Sequence, residues 1–269
     1  MSTGGTPRPA ATFVSRGKRL PTIPSDAEAF GAHLVLRVAL ETLGPSRLVL
    51  STSLGPESIV ILDLVSDMEA RPRVVTVDTG RLPEQTHTLL ERVRARFGID
   101  VEVLEPDPSD VEEMVRERGP DLFYRSVDDR LRCCDIRKVE PLTKALRQVD
   151  GWITGLRREQ STTRWKTPKL GLDLEHGLIW KVNPLADWSS ERVWHYIRTR
   201  DLPYNTLHDM GYPSVGCAPC SRAIPPGVDH RSGRWWWETP ESRECGLHVD
   251  SAQLSAIGRS HAHDVEPAG

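Results

Sequence analysis

The sequence predicts an α/β protein, with a mainly parallel, twisted sheet and helices on both of its faces. Three observations carry that prediction. Short β-branched or apolar runs alternate with segments of helical period from about residue 46 to residue 154. Alternation over this length implies right-handed crossovers and parallel pairing. At 269 residues the chain is long enough for a substantial core in one or two domains.

In chain order, residues 47–51 form a short apolar strand that ends in small polar residues. Residues 58–68 are rich in Ile, Val and Leu at helical length. Residues 73–78 are a β-branched run ending in an acid, with Gly80 close behind. Leu82, Thr86, Leu89, Leu90, Val93 and Phe97 mark one face of a helix. Residues 101–104 make a third short strand, and Val139, Leu142, Ala145 and Leu146 another helix face. Residues 152–154 add a strand, and Ser189 or Ser190 caps a helix carrying Val193, Trp194 and Ile197. Beyond Leu202 prolines and glycines make the chain turn-rich.

Composition excludes several classes. Lys plus Arg number 35 against 38 Asp plus Glu, a formal net charge of −3, which argues against a general nucleic-acid binder. No stretch approaches the roughly 18 apolar residues of a membrane span. Residues 1–25 lack the apolar region of a secretory signal and show no amphipathic period, so they read as a disordered, basic leader rather than a transit peptide. The five cysteines are odd in number and uneven in spacing. They suit a reducing, cytoplasmic compartment and a metal or chemical use better than a disulfide framework.

Three features carry chemistry. The first strand runs into a loop, residues 51–58, that opens a helix. Small residues let backbone N–H groups approach an anion, and the helix N-terminus adds favourable charge. Ser53, Gly55 and Ser58 thus stand where a phosphate would bind. The Gly-Lys-Ser/Thr ending of a Walker loop is missing. Asp78, Thr79 and Gly80 end the next strand at the same ligand edge, although Asp and Gly are also simple turn formers.

The second feature is the pair of cysteine pairs, Cys133-Cys134 and Cys217-Ala-Pro-Cys220. Four thiolates can hold a zinc ion or an iron–sulfur cluster, and adjacency favours a cluster, where each cysteine takes a different iron. A redox dithiol at Cys217 and Cys220 is the third option. Cys245 stands apart in a polar segment, as a surface residue or as a nucleophile. The third feature is basic: Lys138, then Arg157, Arg158 and Arg164 just after a strand, then Arg231 and Arg234. Guanidinium groups bind phosphate and sulfate through paired donors.

Taken together, residues 53–58, Val77-Asp-Thr-Gly80, Cys133-Cys-Asp-Ile-Arg-Lys138, Gly155-Leu-Arg-Arg-Glu-Gln160, Gly216-Cys-Ala-Pro-Cys220, residues 229–237 and Glu244-Cys-Gly-Leu-His248 resemble the assimilatory sulfonucleotide reductases. The likeness is to the iron–sulfur adenylyl-sulfate (APS) type and covers residues 45–248. It implies an adenine-nucleotide α-hydrolase-like fold and one [4Fe–4S] cluster on Cys133, Cys134, Cys217 and Cys220. It implies Cys245 as the nucleophile that forms an S-sulfocysteine, with Lys138 and His248 beside the reacting groups. Arg157, Arg231 and Arg234 would bind substrate, and an external thioredoxin would release sulfite. The loop departs from the ATPase form, with Leu54 and Pro56-Glu57 replacing Gly and Lys-Asp. The implied organisation is a leader over 1–25, a nucleotide-binding and iron–sulfur reductase domain over 26–238, and a mobile tail over 239–269. No nucleic-acid or membrane partner is expected, and homo-oligomer formation stays open. The rival substrate is 3′-phospho-APS (PAPS). A cluster-containing tRNA thiolase and a zinc-structured binding module are more distant readings.

Overall fold

The computed structural model describes residues 14–15, 18–20, 22, 24, 26–161, 164–239 and 242–243. The first two strands, β1 (Val14–Ser15) and β2 (Lys18–Arg19), pair antiparallel. The disordered leader expected over 1–25 therefore contains a short ladder. Leu20 behind it is buried in the main core, so packing begins earlier than residue 26.

Helix α1 (Ala32–Leu43) buries Val35, Leu36, Ala39, Leu40 and Leu43, a spacing that forms one stripe of a 3.6-residue period. It stops at Gly44, whose φ of 81° suits glycine. Strand β3 (Leu48–Thr52) leads to α2 (Pro56–Ser66), β4 (Arg73–Val77), α3 (Glu84–Phe97), β5 (Val101–Leu104) and α4 (Pro108–Arg118). Helix α5 (Val127–Cys134) runs through a π-helical turn (Asp135–Val139) into α6 (Glu140–Leu146). Strands β6 (Gly151–Ile153), β7 (Leu170–Asp173) and β8 (Ile179–Val182) precede α7 (Ser190–Thr199).

Six strands form one sheet in the order β5-β4-β3-β6-β8-β7. All neighbours are parallel except β7, which pairs antiparallel with β8 at one edge. Alternate side chains leave opposite faces of each strand. Leu48 and Leu50 thus enter one core with α1, α2, α3 and α7, while Val49 enters another with Met114, Cys133 and Leu142. Both faces are covered, as predicted. Among the described residues no helix is long and apolar enough to cross a membrane.

Several elements escaped the sequence pattern. Helix α4 buries only Met114, and α5 is largely charged, so neither shows a broad apolar stripe. Strands β7 and β8 are four residues each. The helix marked by Val139–Leu146 residues is the last part of a longer unit starting at Val127, interrupted by the π-turn. Helix α2 starts at Pro56, two residues before the apolar run, because proline fits the first helical position.

Candidate active site

The strand order reverses between β3 and β6: β4 and β5 lie to one side of β3, β6 and β8 to the other. Crevices for ligands in open parallel sheets form outside the carboxyl ends of strands at such a point. A cavity of about 250 Å³ sits there. It is lined on one side by Ser53, Gly55 and Ser58, and on the other by Cys133, Cys134, Cys217 and Cys220. Lys138, Arg164, Arg231 and Arg234 also line it, as does Thr79.

The loop after β3 takes its shape from Leu54, whose φ of 57° is in the left-handed region. That conformation favours glycine, the residue of the ATPase form. Here the leucine side chain is buried in the α1–α2 core, and its N–H donates to Thr52 Oγ1 at 3.0 Å. Core burial thus offsets the backbone strain and holds Ser53 outward beside the helix N-terminus.

Asp78, Thr79 and Gly80 separate in the structure. Asp78 accepts from the Gly80 N–H at 2.8 Å and pairs with His87 at 2.9 Å. Neither Asp78 nor Gly80 lines the cavity, and together they build the turn. Thr79 faces inward, its hydroxyl 3.2 Å from the Cys217 sulfur. Arg157, expected to bind substrate, is also set apart from the cavity lining. It is buried and binds Glu57 at 2.8 Å, Glu159 at 2.9 Å and the Trp188 carbonyl at 3.1 Å. Its position is that of a brace holding Glu57, in the first turn of α2, against the loop after β6.

The cysteines come from two directions. Cys133 and Cys134 end α5, just before the π-turn that carries Arg137 and Lys138. Single π-turns inside helices concentrate at functional sites. Cys217 and Cys220 share a tight turn closed by a Cys220 N–H to Cys217 carbonyl bond of 3.0 Å. That turn is tied to the end of β4 by the Ala218 N–H, 2.8 Å from the Arg81 carbonyl. All four line the same cavity. Burial pushes the Cys220 thiol up to about 12, and the neighbouring Cys217 adds to it. Burial also raises Cys133, against the charges of Arg137 and Arg81. Among the described residues, no group of three or more His, Cys, Asp and Glu is arranged to hold a single metal ion.

The buried cations Arg130 and Arg137 beside the thiols were not singled out in the sequence. Arg137 donates to the Thr79 carbonyl at 2.7 Å, and its Nε is buried without a partner among the described residues. Arg130 is 1% exposed and forms a two-point pair with Glu238 at 2.9 and 2.8 Å. Three guanidinium groups surround the buried Trp235 ring: Arg130 at 4.7 Å, Arg234 at 4.8 Å and Arg231 at 5.9 Å. Arg234 packs so closely on Gly216 that a Cβ there would lie 2.2 Å from its Nη2. The signal available in sequence was only the richness in Arg and Trp, which does not distinguish buried from solvated cations.

Cys245 and His248 lie outside the described residues. The tail expected to move from residue 239 is held at its root. Arg130 donates to the Ser242 carbonyl at 2.6 Å, Arg231 to the Arg243 carbonyl at 2.8 Å, and Arg243 to the Glu238 carbonyl at 2.7 Å.

A phosphate-type loop at the switch point of a parallel sheet, faced by four thiols and several cations, defines a nucleotide-binding α/β protein equipped for sulfur chemistry. Residues 47–223 match the phosphoadenosine phosphosulfate reductase domain family. The chain belongs to that family. It is 46% identical to the adenosine 5′-phosphosulfate reductase of Allochromatium vinosum, over 86% of this chain and 90% of that protein. It is 43% identical to the protein of that name from Agrobacterium fabrum, over 90% and 93%. Among solved structures, phosphoadenylyl-sulfate (PAPS) reductase from Candida auris matches with a TM-score of 0.62 and 28% identity, over 73% of this chain and 91% of that one. An FMN adenylyltransferase of Candida glabrata, 12% identical with a TM-score of 0.50, covers 86% and 82% and shares the fold alone.

Proposed function

We propose that the protein reduces adenylyl sulfate to sulfite and AMP, in sulfate assimilation. The observation that carries this reading is the single cavity shared by the phosphate loop, four thiols and a set of cations. The names of its relatives at 42–46% identity agree with it.

The chemistry divides into two displacements. The Cys245 thiolate attacks the sulfur of APS, the sulfur–oxygen bond to the phosphate breaks, and AMP leaves with that electron pair. Cys245 then carries an SO₃ group as S-sulfocysteine. A thioredoxin thiolate attacks the Cys245 sulfur, and sulfite leaves with the bonding pair. The second thioredoxin thiol resolves the mixed disulfide, so the dithiol supplies both electrons and Cys245 returns as a thiol.

Ser53, Gly55, Ser58 and the α2 N-terminus would bind the nucleotide phosphate. Lys138, Arg231 and Arg234 would offset the anionic charge that otherwise repels the thiolate. Cys245 would supply the attacking thiolate, with His248 beside the reacting groups.

Cys133, Cys134, Cys217 and Cys220 would hold one [4Fe–4S] cluster. The donor set fits: four cysteines line one cavity, and two are buried where an unligated thiolate is disfavoured. Bound there, the cluster would supply a fixed charge near the phosphosulfate. The need to keep these thiols reduced suits a cytoplasmic protein.

The test is to weigh the intact protein after incubation with APS and no thioredoxin. Wild type should gain one SO₃ group, lost again on adding thioredoxin, and Cys245→Ser should gain none. An adduct retained in Cys245→Ser would overturn the assignment. Turnover of PAPS exceeding that of APS would instead favour the substrate named for the Candida auris structure.

A further inference from the structure

His208 lines the same cavity from the turn after α7, and its ring is held in one orientation. Its Nδ1 lies 2.7 Å from the Tyr212 carbonyl, and the ring stands edge-on to Trp194 with centroids 5.1 Å apart. A carbonyl oxygen only accepts, so the proton of the neutral imidazole resides on Nδ1. Nε2 then presents a bare lone pair, and it is buried with no hydrogen-bond partner among the described residues. Burial lowers the pKa of the ring and outweighs the Tyr212 hydrogen bond and the charges of Glu57 and Asp209, which raise it. A buried acceptor without a donor is costly, and a ligand donor would recover that cost.

We propose that His208 is a nucleoside-reading residue, whose Nε2 accepts a hydrogen bond from a donor on the bound adenine nucleotide. This rests on the nucleotide-binding reading above. Phosphate and sulfate oxygens are acceptors at neutral pH and would repel Nε2. The donors of an adenosine nucleotide are its 6-amino group and its ribose hydroxyls, so one of these faces His208.

The experiment measures equilibrium binding of AMP, 2′-deoxy-AMP, 3′-deoxy-AMP and purine riboside monophosphate, which lacks the amino group. The proteins are wild type, His208→Phe and His208→Asn; asparagine keeps a donor for the Tyr212 carbonyl but loses the Nε2 position. Wild type should bind one analogue roughly five- to tenfold more weakly than AMP. In both variants AMP should weaken to the level of that analogue, and the analogue itself should lose nothing more. The analogue affected identifies the group that His208 reads. Wild-type affinity for AMP in His208→Asn, or an AMP-to-analogue ratio unchanged by both substitutions, would overturn the proposal alone. Failure of wild type to bind AMP would overturn the nucleotide reading beneath it.

Discussion

The two faces of the sheet are built from different materials. The face under α1, α2, α3 and α7 is packed with aliphatic side chains, among them Ile59, Ile61, Leu62 and Val65, all fully buried. The face under α4, α5 and α6 mixes Met114, Trp152 and Trp235 with two cysteines, and buries Arg130 and Arg137 nearby. The first face is held chiefly by apolar burial, with one buried carboxylate, Asp63, paired to Arg200 and Tyr196. The second depends on paired charges and ring contacts, where each group left alone is costly. The thiols and their cations thus lie with the second face, while the phosphate loop and the α2 N-terminus come from the first, and the two faces should fail in different ways.

The largest effect is expected where that second face meets the reaction. With the proposed cluster held by the four cysteines, Cys220→Ser should lose iron and nearly all sulfite formation, because a hydroxyl is a poor ligand for iron. Iron analysis and turnover check it, and full iron content would break the contrast between the faces.

Next comes Arg130→Met. It leaves Glu238, 3% exposed, without its cation, which should cost about 3–5 kcal/mol in chemical denaturation. Combining it with Glu238→Leu should recover most of that stability. Sulfite formation should stay low in the pair, since the bond to the Ser242 carbonyl at the tail root is still missing. Recovery of both quantities together would show that the pair serves folding only.

On the aliphatic face, Leu62→Ala should cost about 3 kcal/mol through lost burial and a residual cavity. The spectrum and the affinity for AMP should not change at temperatures where the variant is folded. A weakened site in the folded variant would show that the two faces are coupled.

The smallest effect is acid sensitivity at the far edge of the second face. Burial alone would raise Asp173. The hydrogen bond from His176, together with the charges of Lys181 and His176, outweighs it and holds the carboxyl at about 2. Trp152 also donates to it at 3.0 Å. A depressed pKa contributes stability above the ordinary value of 3.8, lost as pH falls from there toward 2. The shift corresponds to about 2 kcal/mol. Asp173→Asn should flatten that limb of the stability–pH curve, and an unchanged limb would assign the acid sensitivity elsewhere.

What could be read from the sequence alone partly follows the same division; α1, although it carries an apolar stripe, was not singled out. Period and β-branching place β3, β4, β5, β6, α2, α3 and α7, because these elements present an apolar surface that repeats along the chain. Helices α4 and α5 and the β7–β8 pair were hidden, since their burial depends on a few residues such as Met114, Asp173 and Ile179 rather than a stripe. At the site, the loop residues Ser53, Gly55 and Ser58, the four paired cysteines, Lys138, Arg231 and Arg234 all reach one cavity. Arg157 is set under the loop, and Asp78 is used by its own turn.

By itself, then, the sequence determined the parallel α/β plan, the loop that opens α2 and the cysteine spacing. Each is written in short-range order: period, small residues before a helix, or neighbours in the chain. Only the tertiary structure decided which charges are buried and what they hold. Arg130 meets Glu238 across 108 residues, Arg157 meets Glu57 across 100, and Thr79 meets Cys217 across 138. An arginine in a sequence looks the same whether it is solvated or clamped to a carboxylate. Its role follows from the dielectric and the partners around it, and those exist once the sheet has brought distant segments to the same edge.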